Sequence, residues 1–196
     1  MNTLYPLFLN LRGRVCVVVG GNEMAEAKVR GLLEAEAKIR VIAPVATEQI
    51  AAWSRAGRLQ WESRAYENGD VCDAFLVVSV ADAKTNAQVF EESETHRIVC
   101  NAVDDIEHCN CYASAVVRRG PLQIAISTGG NSPALAQRLR KELEEQFGEE
   151  YALWVTRLGE IRSRLFQDKA IDNETRRRTL HEQASASAFA TFRGSL

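Results

Sequence analysis

Short apolar runs alternate along the first half of the chain with longer stretches in which apolar residues recur at helical spacing. The stretch 23–37, for example, is rich in Ala, Glu, Lys and Leu and has one apolar face. Strands that alternate with helices of this kind predict βαβ units and a parallel, doubly wound sheet. The apolar runs predict five buried strands, at residues 15–19, 38–43, 59–62, 75–80 and 97–102.

The pattern changes after residue 112. Residues 113–118 and 122–127 predict two strands joined by a turn at Gly120-Pro121, and Ser132-Pro133 is a strong helix start. From residue 134 the chain is helical in pattern, with interruptions near Gly148 and at 168–173, and we expect the tail 185–196 to fray. The sequence predicts a Rossmann-like α/β domain (1–112), a central segment (113–147) and a C-terminal helical domain (148–196).

Composition and charge narrow the classes of function. The 196 residues carry a net charge of −2, which gives no indication of a nucleic-acid partner. No apolar run is long enough to span a bilayer, and no basic region precedes an apolar core at the N-terminus, so we expect a cytoplasmic protein without membrane contact. We expect reduced thiols in the core rather than disulfides for the cysteines at 16, 72, 100, 109 and 111.

The first glycine turn is the strongest local signal. Strand 15–19 runs into Gly20-Gly21-Asn22, and a helix follows. This nearly matches the dinucleotide fingerprint G-x-G-x-x-G/A, in which a pyrophosphate binds at the helix N-terminus. Asn22 stands at the second glycine of that fingerprint, and asparagine tolerates the left-handed backbone that a tight turn uses. A purely structural strand-to-helix turn is the alternative. The acidic ribose partner expected after the second strand is missing.

Carboxylates follow the fifth strand. Asp104 and Asp105 come directly after it, at a carboxyl end, where open α/β sheets bind ligands. Such a carboxylate serves as a general base or metal ligand, or it is an ordinary turn or cap aspartate. His108 nearby is a second proton carrier or an exposed loop histidine, and Cys109 and Cys111 beside it give a weak metal-binding signal.

A second glycine turn, Ser127-Thr128-Gly129-Gly130, precedes the helix start at Ser132. Hydroxyls and free N–H groups at a helix start bind carboxylates or phosphates. The alternative is a capped helix start with no ligand.

Taken together, these pieces resemble the precorrin-2 dehydrogenase / sirohydrochlorin ferrochelatase family, the N-terminal portion of siroheme synthase. The resemblance runs from the N-terminus to about residue 147. It rests on the segments at 4–8, 11–14, 18–21, 25–28, 100–105, 118–122 and 126–136.

This resemblance implies NAD⁺-dependent oxidation of precorrin-2 to sirohydrochlorin by a homodimer. Some members also insert Fe²⁺ to give siroheme. The resemblance further implies that the central segment helps the dimer to form.

The resemblance also implies site residues. Asp104 matches the family's key aspartate for proton removal and metal insertion, and His108 is a weaker candidate metal ligand. The positions that would contact NAD are Gly20, Gly21, Asn22, Glu23, Met24, Pro44 and Val45. The positions that would bind the tetrapyrrole are Ser127, Thr128, Gly129, Gly130, Ser132 and Arg118, with Arg119 beside the last.

The chain departs from the family pattern at Asn22, at Ser79-Val80-Ala81-Asp82 and at residues 110–114. All three segments are expected near the cofactor or substrate crevice. The alternative interpretation is therefore a chelatase, or a haem-, tetrapyrrole- or metal-binding relative, without NAD-dependent activity. A third is an unrelated Rossmann-type binding module.

Overall fold

The computed structural model describes residues 4–195, and they divide into two compact units. The first unit ends at Ala113 and the second begins at Ser114. The predicted division into the three segments 1–112, 113–147 and 148–196 stays a prediction. Within residues 4–195, no helix combines the length and the apolar character that a bilayer crossing requires.

A five-stranded parallel sheet forms the centre of the first unit, as predicted. Its order is β3-β2-β1-β4-β5. The strands after β1 are added on one side as far as β3 and on the other side from β4 onward, so the strand order reverses between β1 and β4. Ligands bind at such a switch point in doubly wound sheets. The predicted strands are all present, and four of them are one or two residues shorter than predicted. The strands are β1 (Val15–Val19), β2 (Lys38–Ile42), β3 (Gln60–Glu62), β4 (Leu76–Ser79) and β5 (Val99–Ala102).

Three helices cover the two faces of this sheet: α1 (Glu23–Glu34), α2 (Glu48–Arg55) and α3 (Ala83–His96). Successive strand residues point to opposite faces. Val18 accordingly packs in the core with α1 and α2, whereas Val17 packs in the core with Val89 of α3. Helix α1 ends three residues before the predicted limit, because Glu36 adopts a φ of 56°.

The second unit contains the predicted hairpin, formed by antiparallel strands β6 (Ala115–Arg119) and β7 (Leu122–Ile126). Ser132 begins the next helix as predicted, since its side chain accepts a hydrogen bond from Leu135 N at 3.2 Å. The interruption near Gly148 is also present, and the one predicted at 168–173 ends at residue 172, because Asn173 begins the next helix. Four helices follow the hairpin: α4 (Pro133–Gln146), α5 (Glu150–Gln167), α6 (Asn173–Gln183) and α7 (Ala186–Arg193).

The expectation of a frayed tail is wrong. Ser185 caps α7 by accepting a hydrogen bond from Ala188 N, and the helix places two aromatic rings against α5. The ring centroids of Phe189 and Phe192 lie 5.7 Å and 5.0 Å from that of buried Trp154. Burial of these rings stabilises a helix that the small, polar composition of the tail did not indicate.

Two arginines hold helix ends in the second unit. Arg119 donates from Nε to Phe147 O at 2.7 Å and from Nη2 to Glu144 O at 3.0 Å. Arg176 donates from Nε to Leu165 O at 3.0 Å. Both satisfy carbonyls that a helix C-terminus leaves unpaired. Arg119 is therefore a capping residue, and its contact with a substrate carboxylate stays a prediction.

Removal of an aromatic ring from α7 should destabilise the second unit. Phe189→Ala should lower its free energy of unfolding by about 2 kcal/mol, less than the ~3–5 kcal/mol of a fully buried phenylalanine, because Phe189 is partly buried. Urea unfolding followed by tryptophan fluorescence measures the change. Phe166→Ala is the matched control: its ring is 55 % exposed, and we expect a loss below about 1 kcal/mol. Equal losses in the two variants would contradict packing of α7.

Candidate functional site

The first glycine turn lies at the switch point of the sheet. Gly20 has a φ of 120°, and a β-carbon there would come within 2.5 Å of Val80 O, just beyond β4. A β-carbon on Gly21 would overlap Val45 O. Both positions therefore require glycine. Gly20 is required for its positive φ and for the close approach of Val80, and Gly21 for the close approach of Val45 alone. The loops after β1, β2 and β4 consequently meet at one edge.

Asn22 does not use the left-handed backbone that asparagine tolerates. Its φ is −78° and its ψ is −179°, which is extended. Its Oδ1 accepts a hydrogen bond from Ala25 N at 3.0 Å, and its backbone carbonyl accepts from Glu26 N at 2.9 Å. Asn22 is thus the N-cap of α1, the position where Asn, Asp and Ser are preferred.

Within residues 4–195, the structure gives the backbone N–H groups of Glu23 and Met24 no hydrogen-bond acceptor. They belong to the first turn of a 12-residue helix, whose dipole is positive at this end. Thr47 N donates to Gly21 O at 2.9 Å, which draws the loop of Pro44 and Val45 alongside. The predicted cofactor residues are therefore brought together, and two free donors at a helix N-terminus fit a pyrophosphate.

Asp104 is exposed, lies two residues after the end of β5, and has a φ of 60°. Asparagine and aspartate adopt this left-handed backbone more readily than other non-glycine residues, at a cost of about 1–2 kcal/mol. Asp104 is not a helix cap, because the residue that precedes the short 3₁₀ helix Ile106–His108 is Asp105. The helix-cap alternative is therefore wrong. Asp104 lies in a turn, as the turn alternative expects, and its role as a general base or metal ligand stays a prediction.

A hydrogen-bonded chain that the sequence analysis missed lies beside Asp104. Ser79 Oγ donates to Asn86 Oδ1 at 2.6 Å, and Asn86 Nδ2 donates to Asp105 Oδ2 at 3.3 Å. His108 Nδ1 lies 2.8 Å from the same Asp105 oxygen. The hydrogen bond to His108 has the largest effect on the Asp105 carboxyl and lowers its pKa, and the bond from Asn86 lowers it further. One feature of the sequence could have indicated this chain: Asn86 is a polar residue on the apolar face of α3.

The histidine and cysteines near Asp104 are occupied with other contacts. His108 pairs with Asp105, and Cys109 Sγ, which has one hydrogen to donate, lies 3.0 Å from Ala102 O and 3.2 Å from Asp105 O. Burial raises the pKa of Cys111 to about 12, which disfavours the thiolate that binds metals. No group of three or more His, Cys, Asp or Glu placed to hold a metal occurs in the described part of the chain. Metal binding by Asp104 or His108 stays a prediction.

All five cysteines are free. Cys16 and Cys100 are buried, and burial raises the pKa of each thiol to about 11. They match the expectation of core thiols. Cys72 does not, because it is exposed.

The second glycine turn lies in the second unit. Thr128 Oγ1 accepts from Ser132 N at 3.0 Å, and Ser127 Oγ accepts from Gly129 N at 3.1 Å. Ser132 Oγ accepts from Leu135 N. Each hydroxyl oxygen thus accepts a backbone N–H, so its own hydrogen is available to a ligand. Gly129 and Gly130 have φ values of 60° and 82° and form the turn. Arg118 is exposed on β6.

Removal of the His108 ring should raise the pKa of Asp105. We expect the pKa in the wild type to lie below the ordinary value of about 3.9 and to move back toward it in His108→Ala. Because the folded-state pKa is depressed, Asp105 contributes stability above its ordinary pKa, and this contribution is lost as the pH falls through the lowered value. A carbon NMR titration measures the shift.

Asp82 is the internal control for that titration. Hydrogen bonds from Thr85 lower its pKa independently of His108, so its titration should be the same in both proteins. An unchanged Asp105 titration in His108→Ala would contradict the role of this pair.

Two family models match the chain. The first, described as "Putative NAD(P)-binding", covers residues 7–115, and the second, described as "Sirohaem biosynthesis protein central", covers residues 119–146. Among solved structures, SirC, precorrin-2 dehydrogenase, has a TM-score of 0.78 and 25 % identity, with 98 % of each chain covered.

Curated relatives include siroheme synthases. That of Xylella fastidiosa is 37 % identical over 83 % of this chain, and siroheme synthase 2 of Yersinia enterocolitica is 34 % identical over 88 %. This chain spans 36 % and 37 % of their respective lengths. The matches confirm the resemblance, and the chain therefore belongs to this NAD(P)-binding family, in the group that it shares with siroheme synthases and SirC.

Proposed function

We propose that this chain oxidises precorrin-2 to sirohydrochlorin with NAD⁺, in the synthesis of siroheme. The observation that carries the proposal is the match to SirC, which extends over 98 % of both chains and so includes both units. The free N–H groups at the start of α1 and the exposed Asp104 at the carboxyl edge of the sheet support it.

The cofactor pyrophosphate binds at the N-terminus of α1. The N–H groups of Glu23 and Met24 donate to it, and Gly20 and Gly21 let the loops after β2 and β4 pack closely against the turn. When bound, NAD⁺ accepts a hydride from the substrate. Pro44 and Val45 lie where the adenosine ribose is expected, and they offer backbone groups in place of a carboxylate.

Asp104 acts as the general base. Oxidation of precorrin-2 removes two hydrogens: one leaves as hydride, and the other leaves as a proton that the Asp104 carboxylate accepts. Its exposure and its place beside the switch point leave it open to the macrocycle. Asp105 does not share this role, because it is bonded to Asn86 and His108.

The second unit binds the carboxylates of the tetrapyrrole. The free hydroxyl hydrogens of Ser127, Thr128 and Ser132 and the N-terminus of α4 suit anionic groups, and Arg118 adds a charged donor.

The protein acts as a homodimer in the cytoplasm. Both outer edges of the β6–β7 hairpin lack a strand partner among residues 4–195, and such edges readily pair with another chain. Five free cysteines suit a reducing compartment. Iron insertion into sirohydrochlorin, with Fe²⁺ as substrate, stays a prediction that the same preparation tests.

A negative charge at the N-cap of α1 should weaken cofactor binding without loss of the helix. Asn22→Asp keeps an oxygen that accepts from Ala25 N, since aspartate is an equally good N-cap, but it repels the pyrophosphate. We expect the Kd for NAD⁺, measured by calorimetry, to rise about tenfold, which corresponds to ~1.4 kcal/mol.

Asn22→Ser is the matched control, because serine caps the helix without a charge. Its Kd for NAD⁺ should stay within about threefold of the wild type, and both variants should unfold at the same temperature. Equal affinities for NAD⁺ in Asn22→Asp and the wild type would place the cofactor elsewhere. A wild type that binds no NAD⁺ at millimolar concentration would refute the proposed function.

Removal of the Asp104 charge should stop the oxidation. In an anaerobic assay with precorrin-2 and NAD⁺, followed by NADH absorbance, Asp104→Asn should lower kcat by about 100-fold or more. The Kd for NAD⁺ should not change. Addition of Fe²⁺ to the product then tests iron insertion. Glu107→Gln, an exposed carboxylate three residues away, should keep the wild-type kcat. Full kcat in Asp104→Asn would show that another group takes the proton.

A further inference from the structure

A buried amide on α3 connects the end of β4 with the turn that carries Asp104. Asn86 is 2 % exposed and Ser79, the last residue of β4, is 0 % exposed. Asn86 accepts a hydrogen bond from Ser79 and donates one to Asp105. Val103 N donates to Ser79 O at 2.8 Å, so the backbone of β4 also holds this turn, through the residue that precedes Asp104.

We propose that Asn86 is a positioning residue for Asp104, which it holds through Asp105. The inference rests on the proposed function, in which Asp104 is the base. Asn86 itself has no contact with the reacting atoms in this proposal.

The orientation of the Asn86 amide follows from its neighbours. Ionised Asp105 only accepts hydrogen bonds, so it requires the amide Nδ2. The amide oxygen must then face Ser79, whose hydroxyl donates to it at 2.6 Å. A flipped amide would bring two acceptors together. All three side chains therefore have one compatible arrangement, which fixes the position of Asp105 relative to β4.

Asp104 lies between two residues that are held in this way. Val103 is bonded to β4 through its N–H, and the Asp105 carboxylate is bonded to Asn86 and His108. A non-glycine residue keeps a positive φ where its surroundings over-determine the backbone. The Asn86 bond is the side-chain bond through which buried α3 holds Asp105, so its loss should let Asp104 relax toward a negative φ.

The fold alone does not require an amide at this position. Residue 86 lies on the face of α3 that also buries Val89, and apolar side chains at positions 79 and 86 together would fill the space without the cost of desolvating a hydroxyl and an amide. The polar residue is explained by what it holds.

The test replaces Asn86 with leucine, which has a similar branched shape and no polar atom. In Asn86→Leu we expect kcat for precorrin-2 oxidation to fall about tenfold or more, since a misplaced catalytic group costs at least that. KM for precorrin-2 and Kd for NAD⁺ should change less than about threefold, because the N-terminus of α1 and the second unit are untouched. A crystal structure of Asn86→Leu should show Asp104 away from a φ of 60°.

Ser93→Ala is the matched control. Ser93 is also fully buried on α3, and its Oγ donates to Val89 O at 2.7 Å, but it has no bond to the turn. It should lose one buried hydrogen bond and keep the wild-type kcat. If Asn86→Leu does not fold, Ser79→Ala is tested instead. This variant keeps the Asn86–Asp105 bond but removes the Ser79 hydroxyl that holds the Asn86 amide, and we expect kcat to fall about threefold.

Three results would overturn the inference. They are a wild-type kcat in Asn86→Leu (or in Ser79→Ala, where that variant is used), an equal loss of kcat in Ser93→Ala, and a variant structure in which Asp104 keeps its φ near 60°. If the wild type itself does not oxidise precorrin-2, the proposed function fails on its own. The φ of Asp104 in the variant still decides the positioning role in that case.

Discussion

The close approach of Gly20 to the end of β4 is the constraint on which the site depends. Gly20 N donates to Ile42 O at 2.9 Å, on β2, while Val80 N donates to Val19 O at 2.7 Å. The backbone at residue 20 is thereby fixed between neighbouring strands at the point where the strand order reverses, and no β-carbon fits there. Because α1 begins directly after this turn, the position of Gly20 sets where the free N–H groups of Glu23 and Met24 lie. The fit of this edge to an anion is therefore a consequence of backbone packing rather than of any charged side chain.

The aspartates at the carboxyl edge show how the same residue type serves two purposes. Asp82 caps α3 by accepting hydrogen bonds from the backbone and side chain of Thr85, and these bonds lower the pKa of its carboxyl. Asp104 makes no such cap, and its positive φ costs stability that a capping aspartate does not lose. Strain at an exposed carboxylate, in a loop held by its neighbours, is compatible with the role proposed for Asp104.

Local patterns in the sequence were sufficient for most of the fold. The apolar runs gave all five parallel strands, and Ser132-Pro133 gave the start of α4, because burial and capping act over a few residues. Contacts between distant positions were not accessible in this way. Asn86 and Asp105 are 19 residues apart in the chain, and no local pattern pairs them. Helix α7 was missed because Phe189 and Phe192 are stabilised by Trp154 on another helix, while the local composition indicated a frayed end.

Asn22 shows which of the glycines in the turn the fold requires. Its extended backbone is open to any residue, so a glycine at this position would serve the approach of a ligand and not the turn itself. In this chain the side chain folds back, and its oxygen accepts from Ala25 N. The amide nitrogen is a hydrogen-bond donor that the cap does not use. Bulk at this position is thus accompanied by a donor of the kind that a pyrophosphate accepts. The substitution is therefore compatible with a dinucleotide site in which the cofactor lies slightly farther from the backbone than it would beside a glycine.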